Sequence, residues 1–73
     1  MAKAGAEGVY KIVEVVGTSS KSWEDAANVA VATAAKTLRD LRIAEVTKLD
    51  LKVEDGQVVA YRVRVSLSFK YEA

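Results

Sequence analysis

Residues 59–71 read VAYRVRVSLSFKY, and this segment decides the fold. Its odd-numbered positions are large and apolar, whereas its even-numbered positions are small or polar. Successive side chains of a β-strand point to opposite faces, so the alternation predicts one long strand with an apolar face and a polar face. At about 3.4 Å per residue the strand extends for about 40 Å. Its apolar face requires a cover of similar length.

The rest of the chain has few residues with which to cover that apolar face. The chain has 73 residues, and we predict a flexible tail at residues 1–8 and one domain at residues 9–73. A domain of this size buries only about 60% of its unfolded surface, so disulfides, metals or self-association often add stability. The chain contains no Cys and no His, which leaves self-association as the expected means.

Charge and composition narrow the possible partners and the location. The net charge is +1, from 11 basic and 10 acidic residues, so no bulk attraction draws the chain to nucleic acid or to a membrane surface. No apolar run approaches the roughly 20 residues that span a bilayer, and no apolar core of a secretion signal is present. A cytoplasmic protein is therefore predicted.

A strand and a helix are predicted in the first half of the chain. Residues Val9–Val16 are rich in β-branched side chains, and the strand that they predict ends at Gly17. Apolar residues occur on both of its faces, as is typical of a strand that is central or covered on both sides. Residues 22–41 carry an alanine-rich apolar stripe at helical spacing, and this stripe predicts the only helix. Ser20 or Ser22 can cap its start.

The second strand, predicted at Arg42–Glu54, changes the parity of its apolar positions. They are even-numbered up to Val46 and odd-numbered from Leu49 onward. A change of parity turns the apolar face over, so either a bulge lies near Thr47–Lys48 or the second half of the strand covers a different partner. Asp55-Gly56 then predicts a tight hairpin turn into the third strand.

The predicted order is thus β-α-β-β, an α+β fold. One helix covers only one face of a three-stranded sheet, and the hairpin is longer than the helix. We therefore expect other copies of the chain to complete the cover. The residues expected at these contacts are Trp23, Leu49, Leu51, Val53 and Arg64.

Three features together resemble the dodecin family. They are the opening segment VYKIVEVVGTS at residues 9–19, the alanine-rich helix that follows, and the hairpin ending in VSLSF at residues 65–69. The resemblance implies a three-stranded antiparallel sheet partly wrapped around one helix. It also implies a hollow homododecamer that binds or stores a small ligand or a cation and is not an enzyme.

The resemblance also implies a ligand pocket at Ile43, Glu45 and Arg62. Flavin-binding dodecins stack the flavin on a Trp, which corresponds to Ile43, and bind its polar edge with a Gln, which corresponds to Arg62. Isoleucine has no π-face for stacking, and a guanidinium donates hydrogen bonds but accepts none. Flavin is therefore not the expected ligand. The alternative is a flavin-binding dodecin with an altered pocket.

Calcium is a candidate ligand for a related reason. The segments at residues 22–24, 42–44 and 61–63 are similar to the branch called calcium dodecins, which implies binding of a divalent cation. Carboxylates are the usual ligands of Ca²⁺, although no spaced calcium loop is present, and an ordinary solvated hairpin is the alternative. The candidate ligands are Asp50, Glu54 and Asp55.

Two other classes of function are weaker. The strand face that carries Arg62, Arg64 and Lys70 could bind nucleic acid or a phosphate, but the exposed aromatic residues that stack on bases are missing from it. The alternative is that these arginines pair with Glu45, Asp50 or acids of another copy. With no Cys, no His and no paired carboxylates, the sequence offers no catalytic constellation.

Overall fold

The computed structural model describes residues 8–71, which form one helix and a three-stranded antiparallel sheet. The order of the strands in the sheet is β1-β3-β2, so the last strand is the central one. This architecture confirms the predicted α+β fold. Apart from Gly8, the predicted tail lies outside the described residues. The elements are β1 (Tyr10–Ser19), α1 (Trp23–Ala35), β2 (Leu41–Glu54) and β3 (Gln57–Lys70).

The core lies between β3 and α1. Val63, Val65 and Leu67 alternate along β3 and are fully buried, and they pack with Ala26 and Ala30 of the helix. The alternation of the central strand is therefore confirmed. Because the helix contributes alanines, its axis approaches the sheet closely and the core is thin. Full burial of a Val or Leu side chain contributes about 1.5–3 kcal/mol.

β1 is an edge strand, so of the two predicted alternatives the central position was wrong, and cover on both faces stays a prediction. It pairs with β3 on one side, and its residues Val13 and Val15 face the helix. Its alternate residues Ile12 and Val16 lie on the opposite face of the sheet and are 63% and 46% exposed. Within one chain, the apolar residues on this second face therefore have no cover.

Gly17 lies inside β1 and does not end it. The ladder to β3 continues through Thr18 and Ser19, because the strand passes directly beneath the helix. A Cβ atom at position 17 would collide with the carbonyl oxygen of Ala26 and would lie 2.8 Å from the Cβ of Ala30. The absence of a side chain is what allows the strand and the helix to approach each other.

A serine cap fixes the start of α1. The Ser22 side chain accepts a hydrogen bond from the backbone N–H of Asp25 at 3.0 Å. The Asp25 carboxylate accepts a second one from the Ser19 hydroxyl at 2.7 Å. The first bond caps the helix, and the second joins the end of β1 to its first turn.

The helix ends at Ala35, well before the predicted end at residue 41. The backbone N–H groups of Thr37 and Leu38 both donate to the carbonyl oxygen of Ala34 and close the last turn. Asp40 then adopts a left-handed conformation with φ of 55°. The chain needs this reversal because β2 begins at Leu41 and must return along the sheet.

The change of parity in β2 comes from a bulge, as one of the two alternatives predicted. Val46 pairs with Val65 and Lys48 pairs with Arg64, so Thr47 is the extra residue. The bulge keeps the apolar residues before and after it on the helix-facing side of the sheet.

The helix covers only part of the sheet. It has 13 residues and is about 20 Å long, whereas β2 and β3 have 14 residues each and extend for about 45 Å. The described part of β2 and β3 beyond the helix, residues 49–59, is the hairpin arm. Its large apolar side chains are 41–58% exposed: Leu49, Leu51, Val53, Val58 and Val59.

We expect Gly17→Ala to lower the free energy of unfolding by about 1–3 kcal/mol, because the added methyl group overpacks the contact between strand and helix. Urea unfolding followed by circular dichroism measures the change. Gly8→Ala is the matched control, since its Cβ would lie 3.7 Å from the Lys70 side chain, an ordinary contact. Equal stability of the two variants would contradict the close approach at Gly17.

Candidate functional site

The sheet face opposite α1 carries the candidate site, and we call it the open face. It consists of the even-numbered residues of β1 and β3 together with the β2 residues that pair with them. The three pocket positions expected from the resemblance all lie on this face. In the register of the sheet, Ile43 is opposite Ser68, Glu45 is opposite Ser66, and Arg62 is opposite Asp50.

One chain does not bring the pocket positions together. Ile43 lies beside Ser68, which is six residues along β3 from Arg62. At about 3.3 Å per residue, this separation is about 20 Å. The Ile43 side chain is 55% exposed. A pocket that uses both positions therefore requires more than one chain.

Arg62 and Asp50 form a two-pronged ion pair on the open face. The Nε of Arg62 donates to Oδ1 of Asp50 at 2.8 Å, and Nη2 donates to Oδ2 at 3.1 Å. This hydrogen bonding holds the pKa of the Asp50 carboxyl below its ordinary value, and the charge of Arg64 adds a smaller effect in the same direction. A guanidinium has five N–H donors and the fork uses two, so Arg62 can also bind an acceptor group of a ligand.

The three candidate metal ligands do not converge within one chain. Asp50 is engaged by Arg62, Glu54 lies 3.5 Å from the ammonium of Lys52, and Asp55 occupies the hairpin turn with φ of 51°. No group of three potential metal ligands occurs among residues 8–71. A calcium site built from these residues would need carboxylates from several chains.

Trp23 is the first residue of α1 and lies on the helix-facing side of the sheet, beside Tyr61. Its ring meets Tyr61 edge to face with centroids 5.3 Å apart. Its Nε1 donates to the backbone carbonyl of Asp50 at 3.1 Å. The helix start is thereby fixed to the base of the hairpin arm.

A pair of cations on the open face was missed by the sequence analysis. Lys48 lies directly opposite Arg64, and Glu45 lies opposite Ser66 in the neighbouring row. The parity change alone permitted two interpretations of β2. Only the position of the bulge at Thr47 aligns the two cations.

Concave regions also lie at the helix and at the end of the sheet. An apolar groove of about 420 Å³ lies between α1 and the free edge of β1, with Val15 and Val29 in its lining. A second cavity of about 420 Å³ lies at the end of the sheet beside Lys11 and Phe69. Within residues 8–71, no helix has the length and apolar character needed to cross a membrane.

Comparison with known proteins identifies relatives over almost the whole domain. The chain is 40% identical over 62 residues to the calcium dodecin of Mycobacterium tuberculosis, a match that covers 85% of this chain and 87% of that protein. It is 41% identical over 64 residues to the dodecin of Thermus thermophilus, which covers 88% and 93%. Both values support common ancestry along the full domain.

Solved structures agree with the sequence matches. The dodecin of Streptomyces coelicolor superposes with a TM-score of 0.83 at 42% identity and covers 89% of this chain and 93% of its own. The dodecin model matches residues 9–72, which include all four structural elements. The resemblance inferred from the strand and hairpin motifs is therefore confirmed, and this chain belongs to the dodecin family.

Proposed function

We propose that this chain forms a hollow homododecamer that binds or stores a small ligand or a cation and catalyses no reaction. The observation that carries the proposal is the mismatch between buried and exposed apolar surface. Five hydrophobic residues are buried in the described part of the chain, whereas fourteen large hydrophobic residues are exposed. Monomeric proteins rarely leave apolar surface of this extent in water.

The exposed apolar residues lie on both faces of the sheet. The hairpin arm exposes Leu49 and Leu51 on the helix-facing side, and the open face exposes Ile12 and Ile43. Contact with a single partner at one surface would cover only one of these groups. Closure of many copies around a common centre covers both, which supports a closed shell rather than a simple dimer.

We propose that the ligand is not free flavin. Ile43 cannot stack on an isoalloxazine ring, and the Arg62 guanidinium at the second pocket position is already paired with Asp50. Because Asp50 offsets the charge of Arg62 but leaves three of its N–H donors free, the position suits a ligand that offers hydrogen-bond acceptors rather than a ring that must be stacked. This arrangement also disfavours nucleic-acid binding through the same strand face, because Arg62 is neutralised by Asp50.

Calcium is the first cation to test. The solved structure of the M. tuberculosis relative, 39% identical with a TM-score of 0.79, is described as calcium chelating with a calcium-binding site. In this chain Asp50, Glu54 and Asp55 supply suitable oxygen atoms but do not converge within one copy. We therefore propose that any calcium is held between copies of a cytoplasmic shell.

A native mass spectrum of the purified protein tests the shell and its cargo together. We expect a dominant species of about twelve times the 7.9 kDa chain mass, since closure covers both apolar surfaces. After incubation with calcium and exchange into ammonium acetate, calcium adducts should survive on this species. The matched control is incubation with magnesium. A dominant single-chain mass would contradict the shell, and calcium adducts no more abundant than magnesium adducts would contradict a calcium site.

Riboflavin titration tests the exclusion of flavin. We expect little quenching of riboflavin fluorescence by the native protein, and tighter binding by Ile43→Trp. One aromatic contact contributes about 0.5–1.5 kcal/mol, which corresponds to about a two- to twelve-fold decrease in Kd. Ile43→Leu is the control for a change of side-chain shape without a π-face. Sub-micromolar binding of riboflavin by the native chain would contradict the proposal.

A further inference from the structure

Asp50 connects the two faces of the sheet. Its carboxylate lies on the open face, where it accepts hydrogen bonds from Nε and Nη2 of Arg62 at 2.8 and 3.1 Å. Its backbone carbonyl accepts a hydrogen bond from Nε1 of Trp23 at 3.1 Å, and Trp23 begins the helix on the other face. One residue is therefore bonded both to the candidate ligand position and to the start of α1.

The strand that carries Asp50 is weakly restrained at this point. β2 is an edge strand and pairs only with β3. Its bulge at Thr47 lies three residues before Asp50, and the Thr47 hydroxyl donates to the backbone carbonyl of Arg64 at 3.2 Å. Because a bulge bends its strand and disrupts the ladder, regular pairing alone does not fix the orientation of Asp50. The indole hydrogen bond is the side-chain restraint that the described chain places on the Asp50 backbone.

Trp23 is itself held firmly enough to provide that restraint. It follows the helix cap at Ser22 directly, so its backbone belongs to a fixed helix start. Its ring meets Tyr61 edge to face with centroids 5.3 Å apart, and Tyr61 immediately precedes Arg62 on β3. The indole therefore contacts both strands at the level of the ion pair, from the side of the sheet opposite to it.

We propose that Trp23 is a positioning residue for Arg62, which sets the direction of the guanidinium by fixing the backbone of Asp50. This role rests on the proposed ligand-binding function of Arg62 and specifies how that function is controlled. The fork to Asp50 uses two of the five N–H donors, so the orientation of the fork decides where the other three point. A ligand whose acceptor atoms match those three donors is then selected by a contact on the far side of the sheet.

Packing alone does not account for a tryptophan at this position. Trp23 is 37% exposed, so the burial of its ring is incomplete. A phenylalanine would keep an edge-to-face contact with Tyr61, whereas only the indole supplies an N–H donor. That single donor is used on the Asp50 carbonyl. The polar atom of the side chain, rather than its apolar area, distinguishes tryptophan from the other aromatic residues here.

Side-chain NMR of the full-length protein tests the positioning role. The chain has one tryptophan and four arginines, which are Arg39, Arg42, Arg62 and Arg64. Arg62→Lys assigns the Arg62 Nε–H signal by its loss. We expect Trp23→Phe to accelerate hydrogen exchange of this Nε–H about two- to ten-fold, because one ordinary hydrogen bond changes an opening equilibrium by about this factor. The Arg42 signal is the internal reference, since its guanidinium pairs with Asp40 instead.

Leu38→Ala is the matched control for weakened packing between helix and sheet. Leu38 lies beyond the opposite end of α1 and is partly buried against the core. Its truncation should lower stability through lost apolar contact, yet it should leave the exchange rate of the Arg62 Nε–H unchanged. Circular dichroism of each variant checks that the fold is retained.

The coupling is also measurable in the opposite direction, since an energetic coupling between two sites is reciprocal. Arg62→Lys keeps the positive charge but cannot form the fork, so the Asp50 carboxylate is held less firmly. We expect the indole N–H of Trp23 to exchange about two- to ten-fold faster in this variant than in the native protein. This measurement decides the question if Trp23→Phe does not fold.

The outcomes separate the positioning role from the proposed shell. Unchanged exchange at Arg62 in Trp23→Phe, or an equal acceleration in Leu38→Ala, would overturn the role of Trp23. Unchanged indole exchange in Arg62→Lys would overturn it as well. The contacts lie within one chain and can be measured whether or not copies assemble. A native protein that is monomeric by mass refutes the proposed shell instead, and the exchange rates still decide the role of Trp23.

Discussion

A long central strand under a short helix is the constraint on which the rest of this structure depends. β3 spans 14 residues, and its buried part is limited to Val63, Val65 and Leu67 beneath α1. The alanines of the helix and the bare backbone of Gly17 bring the two layers close together, which makes the core well packed but small. The described molecule is consequently extended, at 57 × 20 × 17 Å. Fourteen large hydrophobic residues of the described chain are left exposed, which is the basis of the proposed assembly.

This constraint also explains why the candidate site is incomplete in one chain. Arg62 is fixed by Asp50, but Ile43 lies about 20 Å away along the same face. The candidate calcium ligands do not converge within the described chain. Binding and assembly are therefore coupled in the proposed function.

The fold could be predicted from the sequence because β3 alternates cleanly and the helix has a narrow apolar stripe. The position of β1 at the edge of the sheet could not be predicted. Apolar residues on both faces fit a central strand as well as an edge strand that another copy covers. The end of α1 was missed since residues 36–41 retain helical spacing although the chain must turn there. The sequence analysis had left the ion pair of Arg62 with Asp50 open as one alternative to ligand binding. The pairing of Lys48 with Arg64 required the bulge at Thr47 to be placed, and parity alone left it open.

The dependence of unfolding on protein concentration tests the central claim most directly. If copies of the chain complete the core, folding and association are linked, and the urea midpoint should fall as the protein is diluted about a hundred-fold. A midpoint that stays constant on dilution, for a species with the mass of one chain, would contradict the claim that the exposed apolar surface requires other copies.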